Sequence, residues 1–263
     1  MNRIDQTFQS LKEMQQTAFI GFLTAGDPDI PTCKQCLQIM QEHGCDMIEI
    51  GIPFSDPIAE GPVVQEANIR ALSNHITTDH VFQMIGDMRS QLHVPLVCFL
   101  YYNQIFKYGI DAFLKKSADA GIDALIIPDL PYEHHEEVKP LAKQYGIQLI
   151  SLITPVSNKR KEMISKNSEG FLYCIPSMRT REGHSFQEEL AHFMKELHGY
   201  SAIPKTLGFG ISTAEQIKEY KAYTDGIIVD SAIVSQIAKL STRETTLDQL
   251  GSFIQSLADA THK

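Results

Sequence analysis

Three acids crowd one short stretch of this chain, and their setting suggests acid–base chemistry. Glu49 closes the apolar run Met47-Ile48-Glu49-Ile50, and Asp56 and Glu60 follow within the Gly-, Pro- and Ser-rich residues 51–62. A carboxyl group on a rigid strand end can hand over a proton and take it back. A second carboxylate in an overhanging loop can steady a developing positive charge. The plainer reading of Glu49 is a buried acid that caps a neighbouring loop. Two other patterns favour plain readings. Cys33-Lys34-Gln35-Cys36 has redox spacing but lies at a loop-to-helix entry. His134-His135-Glu136-Glu137 sends adjacent side chains in different directions, as a solvated helix start does and a metal site does not.

The elements that must position these residues alternate. Short apolar runs rich in β-branched and aromatic residues recur at 19–23, 47–50, 96–100, 124–127, 148–153, 171–175, 204–208 and 227–229. Between them lie segments of helical period, such as 111–120, and 213–221 with Ser212 as its N-cap. Eight strands separated by helices predict a (β/α)₈ barrel, a single domain over residues 1–263. The gaps before residue 47 and before residue 96 leave room for loops over the barrel mouth. A faint internal echo fits the same fold: Gly44-Cys45-Asp46, Gly121-Ile122-Asp123 and, more loosely, Thr224-Asp225-Gly226 each precede a buried strand. Related βαβ units produce such echoes by geometry alone.

Composition narrows the function. The chain has 263 residues, 43% of them hydrophobic, and a formal net charge of −9, which argues against nucleic acid as a main partner. No run of about 18 apolar residues is present, and the N-terminus lacks a signal-peptide apolar region. Five irregularly spaced cysteines read as reduced thiols of a cytoplasmic protein. In a barrel, the strand C-terminal ends carry the chemistry. Those ends hold Phe22, Glu49, Leu100 with Tyr101-Tyr102-Asn103, Pro128-Asp129-Leu130-Pro131, Tyr173, Gly208-Phe209-Gly210-Ile211-Ser212 and Asp230-Ser231. A Gly pair before a helix in the seventh loop suits a phosphate, and Phe22, Leu100 and Tyr102 offer an aromatic and apolar pocket.

With these blocks in place, the chain resembles the tryptophan synthase alpha chain family along nearly its whole length. The resemblance rests on Phe22-Leu23-Thr24-Ala25-Gly26-Asp27-Pro28, on Glu49-x-Gly51-x-Pro53-Phe54-Ser55-Asp56-Pro57, and on the strand-end motifs just named. It implies retro-aldol cleavage of indole-3-glycerol phosphate to indole and glyceraldehyde 3-phosphate, with no cofactor or metal. It also implies a beta chain partner in an α₂β₂ complex. By position it makes Glu49 the general acid/base and Glu60 the second carboxylate. Phe22, Leu100, Tyr102 and Tyr173 become pocket residues, and Gly183, Gly208, Gly210 and Ser231 phosphate-site residues. Asp129 becomes an orderer of the active-site loops, and Pro53 and Asp56 partner contacts.

The sequence departs from the family pattern at three places. Glu60 stands where the family has Asp, and one methylene moves a carboxylate by about an ångström, worth on the order of a hundredfold in rate. Residues 176–183 replace a Gly-Val-Thr-Gly loop, with Arg179, Thr180 or Gly183 as the available substitutes. Asp230 stands where the family has Gly beside the phosphate. The departures frame an alternative to a working lyase: a catalytically weak or silent alpha-like subunit that mainly activates the beta chain.

Overall fold

The computed structural model describes residues 2–157, 159–176, 185–208 and 210–263. Eight parallel strands close into a barrel in chain order. They are β1 (Ala18–Thr24), β2 (Met47–Gly51), β3 (Leu96–Phe99), β4 (Ala124–Ile126), β5 (Gln148–Ile153), β6 (Leu172–Cys174), β7 (Lys205–Gly208) and β8 (Gly226–Val229). β8 returns to pair with β1, Ala18 opposite Gly226. Each expected strand is present, with no end moved by more than one residue.

Strand alternation sorts the side chains into two cores. Ala18, Ile20 and Phe22 on β1, Met47 on β2, Val97 and Phe99 on β3, and Ile126 on β4 fill the lumen. Phe19 and Leu23, Ile48 and Ile50, and Cys98 with Leu100 face the surrounding helices. The N-terminal helix Arg3–Glu13 plugs the lower end with Ile4, Phe8 and Leu11, Phe8 meeting Phe171 at 5.7 Å. At the upper end the helix Pro62–Ser73 lays Val64 and Ala67 against the lumen core.

The echo in the sequence has a physical cause. Asp46 donates its N–H to the Phe19 carbonyl, and its Oδ2 accepts from the Phe19 N–H at 2.7 Å. Asp123 makes the same closed pair with Leu96, and Asp225 with Lys205. Glu169 repeats half of it, accepting from the Leu149 N–H at 2.8 Å. Each acid thus satisfies a strand-start N–H that has no partner further down the barrel.

Two local expectations change. The helix of the seventh unit spans Ala214–Tyr220 and is capped by Thr213, which forms a capping box with Gln216. Ser212 instead donates its N–H to the Gln216 side chain, so the cap lies one residue later than the pattern suggested. Cys33 and Cys36 lie inside the helix Ile30–Glu42, not at its entry, and both are buried.

Candidate active site

Glu49 sits in β2 with Phe22 of β1 and Val97 of β3 in register on either side. It shares parity with Met47, so it points into the lumen. The side chain is 2% exposed, and Oε2 has no hydrogen-bond partner among the described residues. Burial pushes its pKa well above the ordinary carboxyl range, and the nearby charges of Asp230 and Glu60 push the same way. Burial and the two acidic neighbours both favour the protonated carboxyl over the carboxylate.

Above it opens a cavity of about 360 Å³, large enough for a small aromatic ligand. Its walls include Phe22, Glu49, Glu60, Phe99, Tyr173 and Asp230. Phe22 and Phe99 meet edge to face at 6.2 Å and form one apolar wall.

Glu60 reaches the cavity from the β2 loop, and that loop is tied down. The Tyr101 hydroxyl donates to Glu60 Oε2 at 2.5 Å and accepts from the Ala59 N–H at 2.8 Å. The Tyr101 ring stacks on Phe54, with centroids 4.9 Å apart. Asn68, buried in the helix Pro62–Ser73, accepts from the Phe54 N–H and donates to the Val64 carbonyl, both at 2.9 Å. Burial raises the Glu60 pKa, and the Tyr101 donation opposes that rise.

Tyr173 closes the far side. A Cβ at Gly208 would lie 2.7 Å from the Tyr173 hydroxyl oxygen, so glycine is what lets the ring approach β7. Gly210 follows at φ +67°, a left-handed conformation that favours glycine. Ser231 opens the helix Ser231–Thr242, and its N–H donates to its neighbour Asp230 Oδ1 at 2.5 Å.

Not every expected pocket residue reaches the cavity. Leu100 faces the helix layer. Tyr102 points outward, its hydroxyl donating to Glu137 at 2.7 Å. The inward positions on this segment belong to Phe99 and Tyr101, one residue earlier in each case. Counting in twos from Val97 would have found them, because a one-residue slip turns every side chain to the other face. Asp129 is exposed and accepts from the Tyr102 N–H at 2.8 Å, at the start of the helix Tyr102–Tyr108. Pro53 is buried, its carbonyl accepting from Gln104 at 3.0 Å, while Asp56 is exposed and held by the Ser55 hydroxyl at 2.6 Å. Gly183, and with it Arg179 and Thr180, lies outside the described residues.

The plain reading of the cysteine pair has support, while that of the histidine pair is corrected at His135. Burial pushes the Cys33 thiol up to about 12, far from a reactive thiolate. His134 and His135 belong to a short 3₁₀ turn, Tyr132–Glu137, with His135 buried beside Tyr132 and not solvated. No group of three or more His, Cys, Asp or Glu among the described residues is arranged to hold a metal ion. Among them, too, no helix is long and apolar enough to cross a membrane.

Comparison with known proteins agrees from three directions. The family model described as "Tryptophan synthase alpha chain" matches residues 8–262. A tryptophan synthase alpha chain of Thermoanaerobacter sp. (strain X514) is 44% identical over 260 residues, 98% of this chain and 99% of its own. That of Caldanaerobacter subterraneus subsp. tengcongensis is 42% identical over the same length and shares. Among solved structures, the tryptophan synthase subunit alpha of Legionella pneumophila superposes with a TM-score of 0.92 at 32% identity, covering 99% of this chain and 98% of its own. A chain of Mycobacterium tuberculosis tryptophan synthase gives 0.90 at 28% identity, with 100% and 99% covered.

Proposed function

The chain belongs to the tryptophan synthase alpha chain family, a family of carbon–carbon lyases in tryptophan biosynthesis, and we propose that Glu49 and Glu60 carry its reaction here. The substrate is indole-3-glycerol phosphate, and the products are indole and glyceraldehyde 3-phosphate. The indole ring lies against Phe22 and Phe99. Glu49, protonated in the free protein, delivers its proton to indole C3. Positive charge then develops on the ring nitrogen, where Glu60 accepts the N–H hydrogen bond and offsets the charge. Glu49, now a carboxylate, takes the proton of the glycerol C3′ hydroxyl. The C3–C3′ bond breaks, its electrons return to the ring, and the C3′ oxygen becomes the aldehyde. Glu49 ends protonated, ready for the next turnover.

The observation that carries this reading is the state of Glu49: buried, unpartnered at Oε2 and opposite a tethered second carboxylate. An acid whose neutral form is favoured by burial is poised to donate. The longer Glu60 side chain is accommodated by the Tyr101 hydroxyl, which fixes where its extra reach ends. No observation favours the silent-subunit alternative. Gly208, Gly210 and Ser231 are proposed to receive the phosphate, with Tyr173 packed beside them.

A beta chain is the proposed partner, in an α₂β₂ assembly. The loop bearing Pro53 and Asp56 presents Ile58, 81% exposed, next to Ile69, 63% exposed, and Gln104 ties this loop to the helix that exposes Phe106. Apolar side chains this open on a loop touching the active site fit a docking surface. The deciding experiment is indole release from indole-3-glycerol phosphate, with and without the cognate beta chain. Turnover stimulated by the beta chain is expected. No indole under either condition would overturn the proposal.

A further inference from the structure

Asp230 has no role in the chemistry above, yet it lines the cavity beside Gly208, Tyr173 and Glu49. It immediately follows β8 and is the N-cap of the twelve-residue helix Ser231–Thr242. Its Oδ1 accepts from the Ser231 N–H at 2.5 Å. That N–H is the donor which the proposed function gives to the substrate phosphate. The first N–H groups of a helix draw anions because they have no intrahelical acceptor and sit at the positive end of the dipole. In this protein the chain supplies an anion of its own. Glu49 Oε2, buried and unpartnered, independently marks the same cavity as a place where a ligand completes the hydrogen bonding.

We propose that the Asp230 carboxylate is an internal competitor for the substrate's phosphate, which must displace it from Ser231 to bind. The proposal rests on the lyase reading of the site. One N–H cannot serve both acceptors well, and the two anions repel at contact distance. The lining also holds Glu60, so a small phosphate arriving alone meets a second acid and an occupied donor. Indole-3-glycerol phosphate brings the apolar contact of its ring with Phe22 and Phe99, which offsets moving Asp230 aside. The free protein therefore holds small phosphates weakly, and the ring contact offsets that cost for the phosphate that carries an indole.

The test is a binding titration without turnover. Inorganic phosphate and glycerol 3-phosphate are titrated into the parent, Asp230→Asn and Asp230→Gly at fixed ionic strength, followed by calorimetry or phosphorus NMR. Asp230→Gly removes both charge and acceptor, and it should tighten glycerol 3-phosphate on the order of tenfold. Asp230→Asn keeps an N-cap acceptor without the charge, so it should fold normally and tighten binding by less. Affinities within twofold of the parent in both variants, weaker binding in either, or no binding in any of the three would overturn the proposal. Should Asp230→Gly fail to fold, Asp230→Asn decides alone by the same twofold limit. Indole release by the parent is measured separately, so failure of the lyase reading is seen apart from failure of this one.

Discussion

At the lower end of the barrel Asp46, Asp123 and Asp225 each accept the starting N–H of a neighbouring strand and return their own N–H to it. Asp123 is further paired with Arg3 at 2.8 Å and faces Arg89 at 3.7 Å. At the upper end Glu49 is buried, its Oε2 has no hydrogen-bond partner among the described residues, and the charges of Asp230 and Glu60 beside it are acidic. The same functional group, on the same scaffold, is satisfied at one end and left unsatisfied at the other. The satisfied acids hold the strands in register. The unsatisfied one stores a proton for a ligand. A barrel can carry such an uncompensated group only where a cavity gives it something to meet, which places chemistry at one end and stability at the other.

Glu49→Gln should break the upper end most severely. Gln keeps the shape and cannot shuttle a proton, so indole release should fall roughly a thousandfold, with the far-ultraviolet circular dichroism unchanged. Residual activity within threefold would show that another group moves the proton. Asp123→Ala tests the lower end. It strips two guanidinium groups and the Leu96 N–H of their partner, and should cost about 3 kcal/mol in chemical denaturation. Per folded molecule, kcat/KM should stay within about twofold, since no cavity residue is touched. A large activity loss would mean the two ends are coupled.

Tyr101→Phe sharpens the contrast by giving the second carboxylate a taste of the first one's isolation. Glu60 and the Ala59 N–H both lose their partner, and kcat/KM should fall roughly tenfold. Because the Tyr101 donation holds the Glu60 pKa down against burial, its loss raises that pKa. The acid limb of the pH–rate profile should therefore move to higher pH. An unshifted limb would show that Glu60 ionisation does not limit the reaction.

The smallest effect concerns stability against pH. The folded pKa of Glu49 is raised above the ordinary 4.5, so the unfolded chain loses this proton first as pH rises. Below the unfolded value the group contributes no pH dependence. Above it, stability falls until the folded pKa is reached. Glu49→Gln lacks this loss, so its stability advantage over the parent should grow from near zero at acid pH to a plateau. An advantage that does not vary with pH would mean Glu49 is not held neutral.

The strands were legible because apolar runs between turn residues have few other uses, and Glu49 because a lone acid in such a run stands out. Phe99 and Tyr101 were harder. Strands of a parallel barrel are buried on both faces, so Phe99 and Leu100 look alike in sequence and no polar residue marks which one faces the lumen. The three strand-start acids were visible as a repeat, but their partners lie 20 to 27 residues away in the hydrogen bonds that close each pair. The Thr213 cap was hidden beside Ser212, since either hydroxyl can cap a helix and backbone geometry selects one.

By itself, then, the sequence determined the alternation that closes the barrel, the acid at the end of β2, and the loop that brings a second acid over it. These follow from local periodicity and residue type, which act within a few positions along the chain. Only the tertiary structure decided which face of β3 meets the cavity, that Tyr101 tethers Glu60, and that Asp230 holds the Ser231 N–H. Those outcomes depend on the stagger with which eight strands close. That stagger sets which distant groups come within hydrogen-bonding distance, and no single segment contains it.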